Sequence, residues 1–272
     1  MPHFRCNFIS YTFRRAIDID VIIPGLTSTE GESPKASHRP KWKYPVLYLL
    51  HGYWNDCSSW ERYTSIERYA EERRIAVVTF SAENNMYMNL NDVKAKMDIT
   101  HLMEPDYEKF LIKELPEFVT SMFPVSRRAE DTYIAGLSMG GFGAMCNGFR
   151  HFSKFRAVGA FSPLPTLRRD TYKQSDEVPV QLKKYEPLLL IQRAIKQGTM
   201  PAFYYSYGDK DFLFDMQEWF EEELQKKQIP HELEVLQNYG HEWAFWDIQV
   251  RKFLDWIPRT DPYYMEQKKR NI

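Results

Sequence analysis

Five residues, Gly136-Leu137-Ser138-Met139-Gly140, constrain this chain more than any other stretch. They follow the strand-like run 131–136, DTYIAG, and open a segment with helical spacing from about residue 139 to 149. A serine flanked two residues away by glycines, between a buried strand and a helix, requires a very tight strand-to-helix turn. Side chains at the flanking positions would collide in that turn, so Gly136 and Gly140 supply the space. The turn raises Ser138 above the sheet in a strained conformation. It also sets the serine at a helix N-terminus, where backbone N–H groups face incoming negative charge. An ordinary glycine-rich βα turn could carry the same five letters; the strand before and the helix after favour a nucleophile.

The rest of the chain alternates as such a turn demands. Runs 44–50 and 75–80 are apolar on both faces, which suits the buried middle of a parallel sheet. Runs 156–163, 202–208 and 231–237 read as further strands. Helical spacing covers 59–74, 106–123, 215–228 and 242–257, with Pro116 predicted to kink or restart the second of these. The fold class is therefore α/β, a mostly parallel sheet with helices on both faces in an α/β-hydrolase layout. Residues 25–43 are rich in Gly, Ser, Thr, Pro and charge and read as a surface loop joining runs 17–23 and 44–50. Those two strands are predicted to form an antiparallel hairpin at one edge. Residues 164–200 far exceed a typical connection and predict a small cap insertion within a single domain spanning 1–272.

Charge and cysteine usage exclude several classes. Lys+Arg number 36 against 37 Asp+Glu, a formal net charge of -1, so no single-sign field is available for nucleic acid or an anionic membrane. Arg168-Arg169 and Lys268-Lys269-Arg270 read as local solvated patches, the latter as a frayed tail. No run approaches the roughly 18 apolar residues of a membrane span, and the N-terminus lacks a secretory apolar stretch. A cytoplasmic protein is expected. Cys6, Cys57 and Cys146 are sparse and odd in number, which argues for reduced thiols. With no CxxC or HExxH pattern, neither a metal nor a cofactor is expected. Aromatics reach 15%, enough for a minority to line a pocket as well as fill the core. Trp54, Trp60, Tyr87 and Trp243, with Tyr53, are the pocket candidates.

A serine hydroxyl needs a base, and in this fold the order along the chain is serine, acid, histidine. His231 begins a strand and should sit away from the active face; His241 follows that strand directly, where the loops over the active face should be. His241 is the candidate base. Asp209, Asp211 and Asp215 in YSYGDKDFLFD all fit the acid by spacing, and Asp215 can instead cap the next helix. The Met139 N–H, just after the nucleophile, is one candidate oxyanion donor; the second should come from His51-Gly52-Tyr53.

GLSMGGFGA, YGDKDFLFD and YGHEWAFWDIQVRKFL, in that order, resemble the putative-esterase family of α/β-hydrolases. That family includes tributyrin and feruloyl esterases, S-formylglutathione hydrolase (esterase D) and the mycolyltransferases. The resemblance runs from about residue 10 to 258, with the short intracellular tributyrin and acetyl-ester esterases as the nearest branch. It implies Asp211 as the acid, through Gly208, Asp211, Phe212, Leu213 and Phe214. It implies His241 as the base, through the Glu242-Trp243 that follows, and the Tyr53 N–H as the second oxyanion donor, with His51 in a supporting place. The activity implied is serine carboxylesterase, hydrolysing small acyl esters (short-chain, acetyl-sugar or feruloyl-type) through an acyl-enzyme without a cofactor. Three alternatives stay open: an S-formylglutathione hydrolase, an acyltransferase, and a non-catalytic binding protein on the same scaffold. For the first, Cys57 lies in Gly-Tyr-Trp-Asn-Asp-Cys, a poor match to that branch's Leu-Thr-Cys context.

Overall fold

A computed structural model describes residues 1–89, 91, 105–167 and 180–270. Among these, eight strands form one sheet: β1 (His3–Ser10), β2 (Arg15–Ile22), β3 (Val46–Leu50), β4 (Ala76–Phe80), β5 (Thr132–Leu137), β6 (Ala157–Phe161), β7 (Ala202–Gly208) and β8 (Glu232–Leu236). Their order is β1-β2-β4-β3-β5-β6-β7-β8, parallel from β4 to β8, with β2 antiparallel to both its neighbours. β3, β4 and β6 are buried at every position, which explains their apolar runs. One face is covered by the helices Leu115–Met122, Met139–Arg150, Pro187–Lys196 and Phe214–Lys226. The other is covered by Ser59–Tyr63, Ile66–Arg73 and Trp243–Trp256.

The edge differs from the hairpin read from the sequence. The 17–23 run pairs with β1 on one side and β4 on the other, and β3 lies beyond β4. The 25–43 loop is long because it must carry the chain past β4. β1 itself was not anticipated: most of its residues are exposed, and only Phe4, Cys6 and Phe8 hint at a period of two. The expected frayed tail is also different, since Pro262–Arg270 is a helix. Tyr263 anchors it, buried and stacked on Tyr44 with centroids 4.8 Å apart.

Pro116 does not interrupt its helix, which runs from Tyr107 to Met122 without a gap. A π-turn over Phe110–Glu114 precedes Leu115–Met122, with Pro116 in the first turn of the second segment. The π-turn accommodates it: the Leu115 N–H reaches back to the Phe110 carbonyl, so the bonding register has shifted just ahead of the missing Pro116 N–H. Within 164–200, Pro187–Lys196 packs on the Met139–Arg150 helix and forms the crossover between β6 and β7. Residues 168–179, the middle of the expected cap, lie outside the described residues.

The strand order sets the functional edge. From β3 the chain passes to β4 on one side and then to β5 on the other. In open parallel sheets, ligands bind in the crevice outside the carboxyl ends of strands at such a reversal. Leu50 and Leu137 end the two strands that flank it, so His51-Gly52-Tyr53 and Ser138 face that crevice.

Candidate active site

Ser138 has φ 52° and ψ −116°, a left-handed conformation that an L-residue adopts only when its surroundings impose it. Its N–H donates to the Phe161 carbonyl (2.9 Å), locking the turn to β6. The neighbouring glycines are dictated by contact. A Cβ on Gly136 would lie 2.4 Å from the Gly140 carbonyl oxygen, and one on Gly140 would lie 2.4 Å from that of Leu50. Met139 is the first residue of the following helix, so its N–H has no acceptor within that helix.

The loop after β3 presses on this turn from the other side. A Cβ on Gly52 would lie 3.4 Å from the Ser138 Cβ, so Tyr53 follows a backbone already in contact with the serine. His51 holds the loop in place. Its Nε2 accepts the Ala82 N–H (3.0 Å), which leaves the proton on Nδ1, 2.7 Å from the Gly52 carbonyl. Burial lowers the His51 imidazole below its ordinary value, in keeping with this neutral tautomer. His51 is thus committed to supporting the loop.

β7 and β8 end at Gly208 and Leu236, and the loops beyond them carry the other two groups. His241 Nδ1 lies 2.9 Å from Asp211 Oδ2 and 3.1 Å from Oδ1. Asp211 is 5% exposed. Burial pushes its carboxyl up, but hydrogen bonds from His241 and the Leu213 N–H outweigh this and hold it below the usual carboxylate range. An ionised acid therefore faces Nδ1 and leaves His241 Nε2 as the free lone pair. Asp209 sits apart, its Oδ1 accepting the Asn238 N–H at 2.6 Å. Asp215 lies in the first turn of the Phe214–Lys226 helix. His231 pairs with Glu221 (2.7 Å) at the opposite end of β8, away from these loops as its place in the sequence suggested.

The four aromatic pocket candidates divide. Trp60 and Tyr87 are corrections: both are fully buried and cannot meet a ligand. Trp60 donates its Nε1–H to the Leu50 carbonyl (3.1 Å), and the Tyr87 hydroxyl donates to that of His51 (3.0 Å). Both therefore brace the start of the Gly52 loop, from opposite faces of the sheet. Trp243 is half-buried, stacked on Tyr63. Trp54 is exposed, with Tyr53 half-exposed beside it. Phe212 emerges as a further candidate: it is 77% exposed, and its ring centroid lies 4.6 Å from that of His241.

Gln217 was also missed. It is fully buried and donates to the Pro163 carbonyl (3.2 Å), with Asp211 Oδ2 at 3.5 Å from the same Nε2. The Leu164 N–H next along donates in turn to the Ser138 carbonyl (3.3 Å), so Gln217 ties Asp211 to the Ser138 turn. A polar residue at a core-facing position, spaced with Phe220 and Leu224, was the signal available.

A cavity of about 500 Å³, lined by Phe4, Ile23, Tyr44 and Tyr263 among others, lies at the opposite end of the sheet. None of the expected site residues borders it.

A parallel sheet with a strained serine at its topological reversal, and an Asp–His pair on later strand ends, defines an α/β-hydrolase. The family model described as Putative esterase matches residues 32–257, and the chain belongs to that family. It is a carboxylic ester hydrolase by class. An acetyl esterase of Caldicellulosiruptor saccharolyticus is 26% identical, over 96% of this chain and 99% of its own. An S-formylglutathione hydrolase of Staphylococcus aureus superposes with a TM-score of 0.74 at 25% identity, covering 94% of this chain and 98% of that one. The fluorophosphonate-binding serine hydrolase F of the same organism has a TM-score of 0.75 at 24% identity, covering 94% and 97%. Among the described residues, no helix is long and apolar enough to cross a membrane.

Proposed function

We propose that the chain is a serine carboxylesterase in which Ser138 is the nucleophile, His241 the general base and Asp211 the acid that orients it. The strained Ser138 turn at the reversal of the sheet carries this reading, because it isolates one hydroxyl at the mouth of the crevice. Ser138 Oγ attacks the ester carbonyl while His241 Nε2 takes its proton. The oxyanion is received by the N–H groups of Met139 and Tyr53, a contribution of about 3 kcal/mol for each donor. The alcohol departs with the proton held by His241. Water then attacks the acyl-enzyme, again giving its proton to His241, and releases the acid. Asp211, ionised and fixed, stabilises the imidazolium in both halves.

For the substrate, we infer a small acyl ester with a flat acyl group or a sugar alcohol. Phe212 beside the base and Tyr53-Trp54 beside the oxyanion loop offer exposed aromatic faces on which such a group stacks. The acetyl esterase relative supports short acyl chains. The S-formylglutathione hydrolase likeness favours a thioester reading that uses the same machinery. Three free thiols support a reducing, cytoplasmic setting. The test is a panel of acetyl, butyryl, feruloyl and thioester substrates on the wild type and Ser138→Ala. Turnover of oxygen esters that vanishes in Ser138→Ala is expected. Equal turnover by the variant would remove Ser138 from the mechanism, and a thioester preference would select the second reading.

A further inference from the structure

His3, Asp20 and Glu61 converge where the edge hairpin meets the Ser59–Tyr63 helix, on the side of the sheet that carries that helix. His3 Nε2 lies 3.3 Å from Asp20 Oδ1 and 3.3 Å from Glu61 Oε2. All three donor atoms lie within 4.8 Å of one another, the one such group among the described residues. On the far side of the ring, Nδ1 lies 3.5 Å from Glu67 Oε1. With its proton on Nδ1, toward Glu67, His3 would turn the Nε2 lone pair to Asp20 and Glu61.

In that tautomer Nε2 and the two carboxylates face one another as three ligand atoms that an ion between them would hold. Asp20 is 2% exposed, and the second oxygen of each carboxylate, Asp20 Oδ2 and Glu61 Oε1, accepts no hydrogen bond among the described residues, so the protein around them leaves both carboxylates short of donors. Buried carboxylate oxygens without partners are costly. Arg5, opposite Asp20 in the β1–β2 register, is the cation set against Asp20.

We propose that His3 Nε2, Asp20 Oδ1 and Glu61 Oε2 form a structural site for a divalent transition ion, with zinc as the best fit. One imidazole with two carboxylates suits zinc better than calcium or magnesium, which favour all-oxygen shells. The 3.3 Å separations match the edge of a tetrahedron with bonds of about 2.0–2.1 Å. Its ligands come from residues 3, 20 and 61, so no local motif announces it. Bound there, the ion joins the N-terminal hairpin to the segment that follows the Gly52 loop.

The test uses the full chain stripped with a chelator and then titrated with zinc chloride, manganese chloride or calcium chloride. Calorimetry should give one zinc ion per chain, with calcium at least tenfold weaker. Zinc at a hundredfold excess over Kd should raise Tm by about 5 °C. His3→Ala, on the partly exposed edge strand, should fold and lose both the binding and the shift. Glu61→Gln should weaken binding at least tenfold. Absence of zinc binding, or the same binding in His3→Ala, would overturn the site. Neither result bears on the esterase reading, which rests on Ser138.

Discussion

Asp211 Oδ2 stands 2.9 Å from His241 Nδ1, whereas the carboxylate of Asp209, two residues earlier, is spent on the Asn238 N–H. The two acids are equivalent by spacing and distinct in what they hold. Asp211→Asn should lower kcat/KM by about 10⁴-fold with the fold intact, because the imidazole tautomer is no longer fixed. Asp209→Ala should keep kcat within about tenfold and cost about 1–2 kcal/mol of stability through the loosened His241 loop. Steady-state kinetics and urea melts on both variants make the comparison, and equal kinetic losses would defeat the assignment.

Gly140→Ala places a methyl 2.4 Å from the Leu50 carbonyl oxygen and 2.5 Å from that of His51, both backbone atoms with nowhere to move. A loss of about 3 kcal/mol is expected. Gly31→Ala meets nothing within 4 Å and should stay within about 0.5 kcal/mol. Denaturant midpoints for the two variants check this contrast.

Tyr87→Phe removes the hydroxyl that donates to the His51 carbonyl from a fully buried position. Stability should fall by about 1–2 kcal/mol. The Gly52 loop loosens without losing a donor, so kcat should drop by about tenfold, short of the hundredfold or more that follows loss of an oxyanion group. A variant with wild-type kcat would show that this brace plays no part in positioning.

His231 and Glu221 should give a pH-dependent contribution to stability. Burial lowers the His231 imidazole, but the Glu221 bond outweighs it and the net shift is upward from 6.5. Burial likewise raises Glu221, yet the His231 bond leaves it below 4.5. The histidine's contribution is complete below 6.5 and fades as pH rises through its elevated pKa; the glutamate's is complete above 4.5 and fades in acid. Between those limits the pair is worth most. His231→Gln should cost about 2 kcal/mol near pH 5.5 and clearly less at pH 9. Melts of both proteins at the two pH values test this, and a cost independent of pH would contradict it.

Phe212→Ala should leave stability within about 0.5 kcal/mol, since the ring is largely exposed. If the ring stacks on substrate, KM for feruloyl esters should rise about threefold to tenfold while that for acetyl esters holds. Parallel kinetics on the two substrates decide it.

The residues that the sequence made legible are those whose chemistry is local. A serine between two glycines, placed between strand and helix, can be recognised from the turn it must make. His241 could be placed because strand order along the chain predicts which loops reach the active edge. Trp60 and Tyr87 misled for a physical reason: a large aromatic after a strand end can face the crevice or fill the core, and neither period nor composition separates the two. Gln217 was hidden as one polar letter on an amphipathic helix, and β1 as an edge strand with one weakly patterned face.

By itself, then, the sequence determined the α/β alternation and the tight Ser138 turn, both written in spacings of a few residues, while the class of chemistry came with the family resemblance. Spacing left Asp209 and Asp211 equivalent and only the resemblance pointed to Asp211; the tertiary structure brings the loops after β7 and β8 together, with Asp211 on His241 and Asp209 on the Asn238 N–H. It also decided that Trp60 and Tyr87 brace the Gly52 loop, and that His3, Asp20 and Glu61 meet at all. Contacts between residues tens or hundreds of positions apart depend on strand order and register, which no local pattern encodes.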